Sequence, residues 1–237
     1  SVCLSVCLSV CVCVCVCVCV CVCVCVFIDM VFAANAGVVY KNKVVLSNFK
    51  HPERQGEKKY FREWFEQNGY EVLELPDDMV FEGRGDCFVF KDEYLLGGYG
   101  KRSEERAVER AAELLDLEPI TLELKQDKFY HLDTCLSIIS DDLIIYYPPA
   151  LELLAHAKLF VCSSGADLLP VSQSDADRFV CNSVTLGNTI VTPGSPVNLS
   201  RQLVANLAQR GYTFHPTPMN EFLKSGGGCR CLVLELE

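Results

Sequence analysis

Residues 37–47, GVVYKNKVVLS, decide how the rest of the chain is read. Two short apolar runs flank a polar turn at 41–43, which is the pattern of a β-hairpin. The next stretch, 57–68, repeats its apolar residues at helical spacing and puts Tyr60, Phe61, Trp64 and Phe65 on one face. Gly69 stops that helix, and 70–75 reads as a closing strand. The unit is therefore strand, strand, helix, strand.

The same plan recurs downstream. DCFVFKDEYLLGGYG (86–100) is followed by a helix from Ser103 as N-cap to Leu115, with Val108, Ala111, Ala112 and Leu115 inward, and then by ITLEL (120–124). A third unit offers TCLSIISDDLIIYYP (134–148), a short helix over 149–157 and a closing strand KLFVCSS (158–164). A fourth offers VCNSVTLGNTIVTP (180–193), a helix over 198–210 and GYTFHPT (211–217). A lone strand over 231–236 ends the chain, so the pattern predicts four complete units and part of a fifth that an N-terminal segment would complete.

In place of such a segment stands SVCLSVCLSVCVCVCVCVCVCVCVCV. This two-letter repeat holds ten of the 16 cysteines and reads as low-complexity material outside the fold. Its length and apolarity meet the criterion for a membrane span, but its period of two suits a strand, and no Lys or Arg precedes Lys41 to orient insertion. A thiolate-rich metal tract is the weakest of these readings. Ser1 in place of Met implies that the natural N-terminus lies further upstream. The domain division is thus 1–26, low-complexity tract, and 27–237, one α/β domain.

With 237 residues, half of them hydrophobic, the chain can bury one sizeable core. A formal charge of -10 lacks the basic patch that nucleic acid demands and excludes such partners. The six remaining cysteines show neither C-x-x-C pairs nor zinc-ligand spacing with His, which points to a reduced, cytoplasmic protein without a metal.

Polar residues recur at the entrance to each unit. Asn35, Asp86, His131, Asn182 and Cys231 follow one another at intervals of 51, 45, 51 and 49 residues, a regularity that brings all five toward one axis. FEGRGD (81–86) adds Glu82, and HLDT (131–134) puts Asp133 two residues from His131, on the same side of an extended strand. Asp29 opens DMVFAANAG. The Arg-Gly-Asp at 84–86 is set aside as an adhesion motif, and His51, His156 and His215 lack acidic company and stay structural.

Cys231 follows three glycines, 226–228, and is the candidate nucleophile, with Cys229 the weaker one. Carboxylates around a thiol disfavour the thiolate unless a cation arrives among them, so the substrate should be cationic. A planar guanidinium suits paired carboxylates best. Arg54 and Arg102 could then take a substrate carboxylate at the far end.

Eight ordered motifs, DMVFAANAG, HPERQGE, FEGRGD, GYGKRS, FYHLDTC, YYPPA, CNSV and EFLKSGGGCRC, closely resemble the guanidino-group-modifying enzymes over about residues 27–237. That group includes arginine deiminases, dimethylargininases, amidinotransferases and arginine dihydrolases. The resemblance implies a five-bladed α/β propeller of pseudo-symmetric ββαβ units, here with the first/last blade, the one shared by the two chain ends, incomplete. It implies that Cys231 attacks the guanidinium carbon, that His131 protonates the leaving amine and then activates water, and that Glu82 orients His131. Asp29 and Asp133 would hold the guanidinium nitrogens; Asn35, Arg54, Asp86 and Arg102 complete the substrate-binding set.

No metal or organic cofactor is implied; the partner is a small cationic amino acid, with self-association left open. Asn35 and the E-G-x-G-D form resemble the arginine dihydrolase branch, where deiminases and dimethylargininases tend to carry a carboxylate. Conversion of arginine to ornithine, ammonia and carbon dioxide is the first expectation. Hydrolysis of dimethylarginine to citrulline and dimethylamine is the alternative. The family's N-terminal segment is replaced by the Cys-Val tract, so an inactive relic is the third reading.

Overall fold

In a computed structural model the described residues are 27–194 and 199–236. The readings of the Cys-Val tract as span, strand or metal site fall on 1–26, outside them. The first unit holds β1 (Gly37–Tyr40), β2 (Lys43–Leu46), helix α1 (Glu57–Gln67) and β3 (Glu71–Leu73). β1 and β2 run antiparallel in the register Val38 to Val45, and β2 and β3 run parallel. Lys41 turns the hairpin at φ 52°, and Gly69 ends the helix at φ 84°. Phe61 and Phe65 are buried on the inner face of α1, with Tyr60 and Trp64 packed at its edge.

The second unit repeats this with β4 (Cys87–Phe90), β5 (Tyr94–Tyr99), α2 (Glu105–Leu115) and β6 (Glu118–Glu123). The third has β7 (Leu136–Ser140), β8 (Leu143–Tyr146), α3 (Leu153–Cys162) and β9 (Asp167–Pro170). The fourth has β10 (Val184–Leu186), β11 (Thr189–Pro193), α4 (Arg201–Gln209) and β12 (Thr213–Thr217). All four sheets have three strands with the second strand in the middle, antiparallel to the first and parallel to the third. The helix is the crossover that a parallel pair requires. The fold is thus α/β, four small sheets among the described residues.

Four expectations fail for physical reasons. KLFVCSS is the second half of α3, and the closing strand is DLLP, 167–170. Ala155, Leu159 and Cys162 are buried at helical spacing, but Leu153, Leu154, Phe160 and Val161 on the other side are also apolar and exposed, which hides the period. Ser103 does not cap α2, whose N-cap is Glu104; its hydroxyl is used by Asp86 instead. The turn Leu132–Thr134 delays β7 to Leu136, so His131 and Asp133 stand on a tight turn rather than a strand. Residues 231–236 form a turn and irregular chain. A strand needs a paired neighbour for its N–H and C=O groups, and none of the described strands lies paired with these residues.

Candidate active site

The site is built on the turns that enter each unit. The turn Gly83–Gly85 before β4 carries Glu82 and Asp86 at its ends, and the turn Leu132–Thr134 carries His131 and Asp133. A Cβ at Gly85 would lie 2.5 Å from Asn35 Nδ2 and 3.3 Å from His131 Nδ1, so only glycine lets these turns approach. A Cβ at Gly228 would meet Asn182 Oδ1 at 2.7 Å, and the same argument holds there.

His131, 3% exposed, is bonded through Nε2 to Glu82 Oε2 at 2.7 Å. Arg102 Nη1 donates to the same oxygen at 3.2 Å, and the Lys50 backbone N–H donates to Glu82 Oε1 at 3.2 Å. Burial alone would raise the Glu82 carboxyl; the hydrogen bond and charge of His131, with Arg102, instead bring it down to about 2. Burial alone would lower the His131 imidazole; Asp86, Glu82 and Asp133 raise it above the ordinary value. Both shifts favour an imidazolium paired with a carboxylate. Tyr130 packs against His131 with ring centroids 4.9 Å apart and lies under the Arg102 guanidinium at 4.7 Å.

Cys231, 4% exposed, is held differently. Its Sγ–H donates to Asp133 Oδ2 at 3.3 Å, and Asn182 Nδ2 donates to Sγ at 3.1 Å. Asn182 Oδ1 accepts from the backbone N–H of Arg230 at 3.1 Å and of Cys231 at 3.4 Å. Burial and then the Asp133 charge push the thiol well above its ordinary value. Burial also raises the Asp133 carboxyl, against His131 and Cys231. Asp133 Oδ1 is buried and has no hydrogen-bond partner among the described residues. Cys229 is buried too, but packs with Val191 and Met219, as a small hydrophobe does.

The remaining sequence candidates divide. Asn35 is buried beside His131, donating to the Glu82 carbonyl at 2.9 Å and accepting from Arg54 Nη1 at 3.0 Å. Arg102 is partly exposed at the edge of the pair it steadies. Asp29 is half-buried, and its carbonyl accepts from Arg54 Nη2 at 3.0 Å.

Two of the nine are not placed as the sequence suggested. Arg54 is buried and pairs in bidentate fashion with buried Glu57, Nε to Oε1 at 2.9 Å and Nη2 to Oε2 at 2.8 Å, so its guanidinium is committed within the protein. Asp86 accepts from Ser103 Oγ at 2.6 Å, Ser103 N at 3.2 Å and Leu132 N at 3.1 Å. Burial pushes its carboxyl up to about 6. Its visible work is to hold the His131 turn in place.

Asn182 and Ser103 were the roles that sequence reasoning missed. Asn182 stood in the regular series of unit entrances, a signal that it belongs with Cys231. Ser103 carried none beyond a hydroxyl before a helix. Among the described residues no group of three or more His, Cys, Asp or Glu is arranged to hold a metal ion, and no helix is long and apolar enough to cross a membrane.

Residues 24–237 match the family model described as N,N dimethylarginine dimethylhydrolase, eukaryotic. The chain belongs to that family. Among the family's wider relatives, it is 43% identical over 210 residues to the bifunctional arginine dihydrolase/ornithine cyclodeaminase ArgZ of Synechocystis sp., which covers 88% of this chain and 29% of ArgZ. It is 35% identical over 210 residues to the N(G),N(G)-dimethylarginine dimethylaminohydrolase of Mycobacterium tuberculosis, covering 88% of this chain and 66% of that one.

The crystal structure of the N-terminal domain of ArgZ bound to substrate superposes with a TM-score of 0.82 at 42% identity, over 87% of this chain and 75% of that one. The enzyme from Pseudomonas aeruginosa complexed with citrulline, TM-score 0.70 at 16% identity, shares the fold. The chain spans under a third of the length of ArgZ and of its counterpart AgrE from Nostoc sp..

Proposed function

We propose that this chain hydrolyses the guanidinium group of arginine through a covalent intermediate on Cys231. The observation that carries the reading is Asp133 Oδ1, a buried carboxylate oxygen with no donor, on the residue that holds the thiol. Such an oxygen is costly to leave unsatisfied. A guanidinium N–H supplies the missing donor, and the same cation draws the thiol toward thiolate. Substrate arrival thereby switches on the nucleophile.

The thiolate then attacks the guanidinium carbon. Glu82 occupies His131 Nε2, which leaves Nδ1 to deliver a proton to the departing ammonia. An alkylthiouronium on Cys231 remains. Neutral His131 takes a proton from water, the hydroxide adds to the carbon, and the C–S bond breaks to give citrulline. A second cycle on the ureido group, with loss of ammonia and carbon dioxide, gives ornithine. Asn35, which presents an amide rather than a charge beside His131, suits retention of the neutral intermediate. In this reading Arg102 meets the substrate carboxylate and Asp29 its cationic end; the N-terminal domain of ArgZ, similar to this chain, is an arginine dihydrolase.

We further propose that the four sheets are blades of a five-bladed propeller and that 27–237 act as one catalytic domain in the cytoplasm. Incubation with arginine, assayed for citrulline, ornithine and ammonia, tests the activity. Ornithine with two ammonia per arginine supports it; accumulation of citrulline refutes the dihydrolase assignment. The family match favours one alternative, dimethylarginine hydrolysis. Preferential release of dimethylamine in a mixed-substrate assay would establish it.

A further inference from the structure

Arg84 and Arg230 stand beside site residues in the chain, but their side chains turn away from the chemistry. Both guanidinium groups lie over the Phe88 ring, at 4.8 and 5.5 Å from its centre, and both bind the single carboxylate of Glu235. Arg230 reaches it with Nη1 at 2.6 Å and Nη2 at 3.1 Å, and Arg84 with Nη2 at 2.5 Å. A cavity of about 280 Å³ opens there, walled by Arg84, Phe88, Ser183, Thr185, Arg230 and Glu235 and reaching the hairpin turn at Gly187. A second space of about 220 Å³ shares Arg84 and Glu235 with it and adds Lys91, Asp92 and Asp141. The lining runs from Arg84, in the turn that carries Glu82 and Asp86, and Arg230, next to Cys231, to the hairpin turn at Gly187.

The charges do not balance. Two guanidinium groups face one carboxylate, and burial together with its neighbour Arg230 lowers the Arg84 guanidinium to about 10. Arg230, whose side chain is 5% exposed, keeps a buried Nε with no partner among the described residues, and Thr185 Oγ1 is likewise buried and unpartnered. In the larger cavity donors therefore outnumber acceptors, with two guanidinium groups to one carboxylate. Glu235 itself is 45% exposed at its side chain, and the two arginines hold its carboxyl well below the ordinary range.

We propose that this cavity is a binding site for a small oxyanion, gripped by Arg84 and Arg230 with Arg230 Nε and Thr185 Oγ1 as further donors, and that Glu235 is its displaceable internal competitor. An oxyanion offers several acceptor oxygens in the planar, bidentate geometry that paired guanidinium groups favour. Neither guanidinium belongs to the set of residues assigned to the guanidine chemistry, although the Arg230 charge reaches Asp133, and the test needs no turnover.

Inorganic phosphate is the first probe, titrated into the full chain while the arginine ¹⁵Nε–¹H resonances are followed, with the affinity taken from calorimetry. The Arg230 Nε resonance shifts and saturates. Glu235→Gln, which removes the competitor, tightens phosphate about tenfold, and Arg84→Gln weakens it about tenfold. Acetate in place of phosphate separates a carboxylate ligand from a phosphate one. Arginine Nε resonances unmoved by either anion overturn the proposal, whether or not the variants fold. So does equal phosphate affinity in the wild type and two folded variants.

Discussion

The two arms of the site are held in opposite electrostatic conditions. On one, His131, Glu82 and Arg102 form a closed set of paired charges, and Asp86 with Ser103 fixes the turn beneath them. On the other, Cys231 is a neutral thiol between an amide and a buried carboxylate that still lacks a donor. The first arm is ready in the free protein. On the proposed function the second is completed by the substrate cation, so that selectivity and activation would reside in the same missing contact.

The contrast is broken most completely by Cys231→Ser, which should cut arginine turnover by on the order of 10⁴-fold while leaving the melting temperature near the wild type. Residual turnover close to wild type would remove the nucleophile from the scheme. Asp133→Asn should act in two directions. The loss of a negative charge brings the Cys231 thiol down, visible as thiolate absorbance appearing at lower pH, yet kcat/KM falls by about 10²-fold or more as the guanidinium loses its anchor. A thiol titration unchanged by that substitution would show that Asp133 does not govern the sulfur.

On the imidazole arm, Glu82→Gln should lower kcat by about 10²-fold. It also tests pH linkage. The raised His131 contributes stability that is complete below pH 6.5 and is lost as pH rises through its folded value. Glu82 contributes stability above pH 4.5 that fades as pH falls toward about 2. Melting temperatures across pH should show both slopes in the wild type and a flatter profile in Glu82→Gln.

Ser103→Ala removes a hydrogen bond to buried Asp86 and should cost about 1–3 kcal/mol in urea unfolding, with a smaller effect on kcat than any change above. The smallest effect comes from a residue under neither arm. Ser200 caps α4 and bonds Asp175, so Ser200→Ala should cost about 1 kcal/mol and leave turnover unchanged.

The unit plan was legible because its hairpins alternate around short polar turns, as at Lys41 and Lys91, and because α1 and α2 are apolar on one side only. α3 was cut short since Phe160 and Val161 face outward beside an inward Leu159, and an all-round apolar run carries no period. That Asn35, Asp86, His131, Asn182 and Cys231 approach one axis could be anticipated from their even spacing at unit entrances, with Glu82 and Asp133 close by in the chain. Which atoms are already spent could not. Arg54 read as a free loop cation, although Glu57 three residues later in HPERQGE was the one local sign that its fork is taken. Ser103 and Asp86 are 17 residues apart, and nothing short of the folded turn joins them.

The candidate site residues sit where strands begin, whereas the loop between β1 and β2 emerges at the other end of four-residue strands. Lys41 and Asn42 are exposed there, about 13 Å of extended backbone from the chemistry. That loop is therefore the natural place to splice in an epitope, a fluorophore tag or new chain ends, letting the protein be labelled or tethered without disturbing the centre that does its work.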